Sequence, residues 1–252
     1  MNIKMLLIST ACIAMLGGCV KGMDADGALS AGAQAFQAVN MSDADVRTMA
    51  NKSCAQMDKQ SKIAASGSAY SKRLAKVVKG LPATVDGQKI NYRVYLTSDV
   101  NAWAMPNGCV RVYSGLMDMM NDDELRGVIG HEIGHVALGH SKKAMQVAYA
   151  TSAARTAVSA SGNAAVSQLS SSQLGDLTEK LINSQFSQSQ ELDSDNYSFD
   201  LLTSKGFSPK GLQTGFQKFA ELDGGQNSMF SSHPSSSERA ENIQKRLGEI
   251  GK

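Results

Sequence analysis

With 252 residues, four prolines and a formal net charge of +2, the chain can bury a real core and suits one domain of ordinary size behind a leader. Both signs of charge are interspersed without a basic stripe, which argues against nucleic acid as a partner.

Residues 1–18 carry one lysine near the start, then an apolar stretch too short for a mature membrane span, then small residues, as an export signal does. Leu16, Gly17, Gly18 and Cys19 resemble a bacterial lipobox, in which the cysteine becomes the lipidated first residue. That resemblance implies loss of 1–18 and a lipid on Cys19. Val20 follows the cysteine where an aspartate would favour the inner membrane, so the expected location is the outer membrane, facing the periplasm. Residues 19–40 are rich in Gly, Ala, Ser, Gln and Asp without periodicity and read as a tether, which leaves 41–252 as the folded domain. In that exported body Cys54 and Cys109 are expected to pair as a disulfide, worth roughly 4 kcal/mol in a chain-entropy model. Two buried free thiols are the alternative.

Ser42 with Asp45 predicts a helix start, and Val46, Met49, Ala50, Cys54 and Met57 recur at helical spacing. A second helix is predicted over 69–79, before Gly80 and Pro82. The run 89–96 alternates Ile90, Tyr92, Val94 and Leu96 against Asn91, Arg93, Tyr95 and Thr97, as a half-buried strand would. Runs at 102–105 and 109–113 flank Pro106, Asn107 and Gly108 and predict a hairpin. A short helix at 116–120 follows. Asn121 and Glu124 then form a capping pattern, with Asp122 and Asp123 in the first turn where they complement the helix dipole. Gly127, Gly130, Gly134 and Gly139 lower the intrinsic helicity of that segment, so something other than propensity must favour them, close packing being the usual reason. Residues 144–173 read equally as a helical continuation broken at Gly162, as a flap, or as a solvated connector. One helical segment is predicted over 174–205 with Leu177, Leu181, Phe186, Leu192, Phe199 and Leu202 inward, another from Pro209, and a last one over 237–247. The expected fold class is α+β, mainly helical, with a small antiparallel sheet preceding the central helix.

That helix carries His131, Glu132 and His135 in the order H-E-x-x-H. One turn separates the histidines, so both face a single metal ion, and Glu132 can reach a water held by it. Leu138 and Ser141 stand where a metzincin would need glycine and histidine. His140 lies about 140° further round a continuous helix than His135 and cannot share the metal. Downstream, Glu191 and Asp195 are spaced for one helix face: Glu191 as third ligand, Asp195 as acceptor for the outer N–H of His131. Asp193 competes with Glu191 for the ligand role.

These segments, with NAWAMPNGCVRVYSGLM before the helix and HPSSSER near the C-terminus, resemble the HtpX-like and CAAX-prenyl-protease family of gluzincin metallopeptidases. The resemblance covers most of the chain from Ser42 and departs from the family at Ser194, where alanine is usual. It implies a zincin-like fold holding one zinc ion and hydrolysis of peptide bonds in unfolded or misassembled envelope proteins, with Glu132 as general base. It also implies that His233 or Arg239 donates to the oxyanion, or that His233 is a removable fourth ligand. Asn101, Ala102, Trp103 and Ala104 resemble the edge strand along which zincins lay a substrate; Trp103 is then either exposed at the cleft or a core aromatic. Protein or peptide substrates, a membrane held through the lipid, and an associated envelope protease or chaperone are the expected partners. The competing function is an envelope chaperone with structural zinc.

Overall fold

A computed structural model describes residues 41–153, 169–221, 233 and 237–250. The expected signal, the lipidated Cys19, the tether and Gly162 lie outside them. Helix α1 (Asp43–Gln60) starts at a capping box between Ser42 and Asp45, and α2 (Ala69–Val77) is capped by Ser68. Short strands β1 (Thr84–Val85) and β2 (Gln88–Lys89) form a two-residue ladder, and β3 (Asn91–Tyr95), β4 (Ala102–Ala104) and β5 (Cys109–Tyr113) form the main sheet. Then come α3 (Ser114–Met119), α4 (Asp122–Ala137), α5 (His140–Ala153), α6 (Ser171–Ile182), α7 (Gln188–Ser204), α8 (Lys210–Glu221) and α9 (Ser237–Ile250). None of the helices among the described residues is long and apolar enough to cross a membrane.

The α+β, mainly helical class is as expected, with one correction. The main sheet has the order β3-β5-β4; β4 and β5 form the expected antiparallel hairpin, but β3 runs parallel to β5. The chain between β3 and β4 crosses over to the far side of β5, so the sheet is mixed.

Both faces of this sheet are covered. Ile90, Val94, Ala102, Ala104, Val110 and Val112 enter a core shared with α2, α4, α7 and α8. Tyr95, Trp103, Met105 and Cys109 point the other way into a second core built with α1, α5 and α6. Tyr95, expected on the polar face, is therefore buried, because helices cover the side that alternation assigned to solvent. Trp103 takes the core alternative at 5% exposure, edge-on to Tyr95 and with Nε1–H donating to Tyr113 Oη at 3.3 Å. Cys54 of α1 is joined to Cys109 of β5 by a disulfide, which fastens α1 to the middle strand.

Helix α4 runs through the middle of the molecule and is buried nearly all round, with Leu125, Val128, Ile129 and Ile133 at 0–2% exposure. Each such side chain contributes about 1.5–3 kcal/mol relative to exposure. The Asn121 side chain accepts from the N–H groups of Asp123 and Glu124, and Glu124 returns the bond to Asn121 N–H at 2.8 Å. Its glycines are explained by contact. A Cβ at Gly130 would stand 2.5 Å from Ser198 Oγ, one at Gly134 3.2 Å from the Ser194 main chain, and one at Gly127 3.1 Å from Leu212. Helices α7 and α8 thereby lie directly on the α4 backbone, and Ser198 Oγ–H donates to the Gly127 carbonyl at 2.8 Å.

Two boundaries differ from the sequence expectation. The single segment expected over 174–205 is broken at 183–187, where Ser187 and Gln190 form a capping box that restarts the chain as α7. Helix α4 stops at Ala137, and Gly139, with φ of 76°, turns the chain before α5 begins at His140. Of the stretch 144–173, residues 144–153 belong to α5 and 171–173 to α6, and 154–168 lie outside the described residues.

Candidate metal centre

His131 and His135 project from one flank of α4, Glu191 from the first turn of α7, and His233 from the segment before α9. One ligand atom from each falls within 4.8 Å of all the others, the one such group among the described residues. His131 Nε2 is 2.9 Å from His135 Nε2 and 3.3 Å from His233 Nδ1. Glu191 Oε1 is 3.0 Å from His233 Nδ1 and 3.3 Å from His135 Nε2, while Oε2 is 3.5 Å from His131 Nε2. Asp193, the rival for the Glu191 position, is not in the group. All four members are buried.

The surroundings fix how these groups point. Asp195, one turn after Glu191 on α7, places Oδ1 2.8 Å from His131 Nδ1. A carboxylate only accepts, so Nδ1 carries a proton and Nε2 faces the centre. Arg239 of α9 clasps the same aspartate, Nε–H to Oδ2 at 2.7 Å and Nη2–H to Oδ1 at 2.8 Å, with Nη1 2.7 Å from Glu191 Oε2. That last contact is an ion pair without hydrogen-bond alignment, and Oε2 accepts no aligned bond. Arg239, expected as one of two candidate oxyanion donors, turns its guanidinium toward two carboxylates and is 3% exposed.

Glu132 points from α4 toward β4, with the Ala104 N–H near enough to favour its ionised form and Oε1 3.5 Å from His233 Nε2 and without a hydrogen-bond donor. Burial raises its pKa above the usual carboxylate range, offset only in part by His233 and His131. Burial would lower the pKa of His131, but its bonds to Asp195 and Glu191 prevail and push it up to about 9. His135, buried beside other imidazoles, is held well below its ordinary value, burial being the main cause. Burial likewise opposes ionisation of Glu191, yet the three facing histidines lower its pKa strongly.

Charge and donor chemistry both fit a divalent cation. Among the described residues three buried carboxylates, Glu132, Glu191 and Asp195, face one arginine, Arg239, so once the imidazoles are neutral, as metal ligation requires, the carboxylates outnumber the cation. The inward atoms are three imidazole nitrogens and a carboxylate oxygen, the ligand types of a zinc-class ion.

Two neighbours of the centre were not legible as such. Phe186, expected in the core, comes from the break before α7 and stacks on the His135 ring, centroids 3.9 Å apart and planes at 28°. Its signal was the overlooked Ser187–Gln190 cap, which ends the preceding helix and frees Phe186 from helical spacing. His140 does stay out of the ligand group, as expected, but its Nδ1 lies 3.1 Å from His135 Nδ1.

Beside β4, the main-chain bonds from Tyr113 N–H to Asn101 C=O and from Met105 N–H to Cys109 C=O show which residues face β5. By alternation Ala102 and Ala104 face the open edge, next to Glu132. Asn101 Oδ1 accepts the Ala102 N–H at 2.8 Å and so occupies one of the edge donors.

Comparison with known proteins agrees with this geometry. Residues 68–247 match the model of peptidase family M48. The chain is 53% identical over 252 residues to "Metalloprotease LoiP" of Escherichia coli, covering 100% of this chain and 99% of that protein. It is also 53% identical over 249 residues to "Metalloprotease YcaL" of the same organism, covering 98% of each. A more distant similarity, 27% over 168 residues, is to "Mitochondrial metalloendopeptidase OMA1" of Arabidopsis thaliana, covering 63% of this chain and 32% of that protein. An H-E-x-x-H helix whose histidines could hold a metal, a carboxylate brought to it from α7 and a family match across most of the chain have one meaning: this protein belongs to peptidase family M48 and is a metalloendopeptidase.

Proposed function

We propose that the metal is one zinc ion, held by His131, His135 and Glu191, and that the protein cleaves unfolded or misassembled proteins of the bacterial cell envelope. The carrying observation is the convergence of those ligand atoms beside the buried, donor-free Oε1 of Glu132. Zinc, when bound, supplies a Lewis acid that activates water and polarises the scissile carbonyl. Glu132 accepts the proton of the attacking water at Oε1, a task its raised pKa suits, while the Ala104 N–H steadies the carboxylate. Asp195 keeps the His131 proton on Nδ1, and Arg239 holds Asp195 and Glu191 in place. An extended substrate strand pairs with the edge of β4 through the carbonyls of Ala102 and Ala104.

His233 serves as a removable fourth ligand. Its Nδ1 lies in the ligand group and its Nε2 beside Glu132, so it stands where water and substrate must enter. Withdrawn, it becomes the nearest donor for the oxyanion. Lipid attachment at Cys19 and an outer-membrane, periplasm-facing location rest on the leader pattern of 1–19 and on the Cys54–Cys109 disulfide, which an oxidising compartment maintains. An associated envelope protease or chaperone is part of the same proposal.

The deciding experiment replaces Glu132 by glutamine. The variant should bind zinc as the wild type does and lose about 10²–10⁴-fold in the rate of cleavage of an unfolded protein. Undiminished cleavage would overturn the general-base assignment, while wild-type protein that binds an unfolded client without cutting it would identify a chaperone. For the anchor, Cys19→Ala should release the protein from membranes.

A further inference from the structure

His135 is the ligand whose outer nitrogen meets no carboxylate and no carbonyl among the described residues. Its Nε2 faces the metal group, so Nδ1 must carry the proton and needs an acceptor. At 3.1 Å the neighbour is His140 Nδ1, and the rings meet at 64° with centroids 5.1 Å apart. We propose that His140 is the positioning residue of His135, accepting its Nδ1–H through an unprotonated Nδ1, and so does for the second histidine what Asp195 does for the first. The proposal rests on the metal-centre reading above.

Spacing alone hides this role. On a continuous helix a residue five positions on is about 140° away. Here α4 has already ended at Ala137, and the positive φ of Gly139 swings His140 back over the end of the helix. Ser194, fully buried on α7, brings Oγ to 3.3 Å from the same His140 nitrogen and so ties it to the helix that supplies Glu191 and Asp195. Phe186 covers the face of the His135 ring. Stacking sets the plane of that ring; only a directional acceptor sets its rotation within the plane, and hence the aim of Nε2.

An acceptor role and a packing role separate by substitution. His140→Phe keeps an aromatic ring and removes the acceptor; His140→Asn restores a carbonyl oxygen on a shorter side chain. Zinc affinity is read by chelator competition, ligand geometry by the visible spectrum of the cobalt-substituted protein, and folding by thermal melting of the metal-free form. His140→Phe should weaken zinc binding by about 10–100-fold and shift the cobalt bands, with His140→Asn recovering most of both. Equal zinc affinity in wild type and His140→Phe would overturn the proposal, as would equal losses in the two variants. If His140→Phe melts early, the recovery of affinity and spectrum in His140→Asn carries the test. Wild-type protein that binds no zinc would instead overturn the metal-centre reading itself.

Discussion

Arg111 and Arg239 are both withdrawn from solvent, at 1% and 3% exposure, and each grips an aspartate with Nε and Nη2. Around Arg111 the bonding is complete. Nη1 donates to the carbonyls of Asn91 and Val110 at 2.8 Å, Nη2 lies 3.2 Å from Cys54 Sγ, and Asp58 also receives Tyr95 Oη–H and Arg93. At the carboxylates beside Arg239 it is not: Glu191 Oε2 and Glu132 Oε1 lack aligned donors. The same buried pair is a structural clamp where its partners are satisfied and part of a reactive site where they are not.

The largest expected effect tests the clamp. Asp58→Ala leaves Arg111 buried without its counter-charge and should cost about 3–5 kcal/mol in denaturant unfolding, with zinc stoichiometry unchanged in the folded protein. A loss of zinc from still-folded protein would break the separation between the two regions. Opening the neighbouring Cys54–Cys109 bridge with a double alanine variant should cost about 2–4 kcal/mol, again with the metal retained. On the other side, Asp195→Asn should weaken zinc binding about 10–100-fold by freeing the His131 tautomer. It should change stability less than Asp58→Ala does, since Arg239 keeps Glu191 as a partner.

The metal centre was the more legible of these regions. His131, Glu132, His135, Glu191 and Asp195 are spaced by helical geometry, which a sequence displays directly, and the capping signals at Ser42 and Asn121 appear as helix starts in the structure. What alternation and spacing could not show was contact across the chain. Tyr95 and Trp103 became core because α1, α5 and α6 cover the second face of the sheet, and β3 lies parallel to β5 because the chain crosses over. Arg111 gave no sign of burial, since its partner Asp58 is 53 positions away. His140 and Phe186 reached the centre through breaks at Gly139 and before Ser187, where helical counting stops being valid.

Acid should sharpen the contrast by the smallest but most selective margin. Burial works to raise the Asp58 pKa, but the bonds from Arg111 and Tyr95 prevail and hold it below the usual carboxylate value. A group whose folded pKa is depressed stabilises the protein above its unfolded pKa, about 3.9 for aspartate, and loses that contribution as pH falls through the folded value. Asp58→Asn removes the titrating group. The stability gap between wild type and Asp58→Asn, from denaturant unfolding of the metal-free proteins, should therefore be widest near about pH 7 and narrow toward about pH 3. Because the two proteins share every ligand of the metal centre, titration there cancels in the difference. A gap that stayed constant with pH would show that the neighbours of Asp58 do not favour its ionised form, and the clamp would then owe its strength to packing of Arg111 against Tyr95 and Trp103.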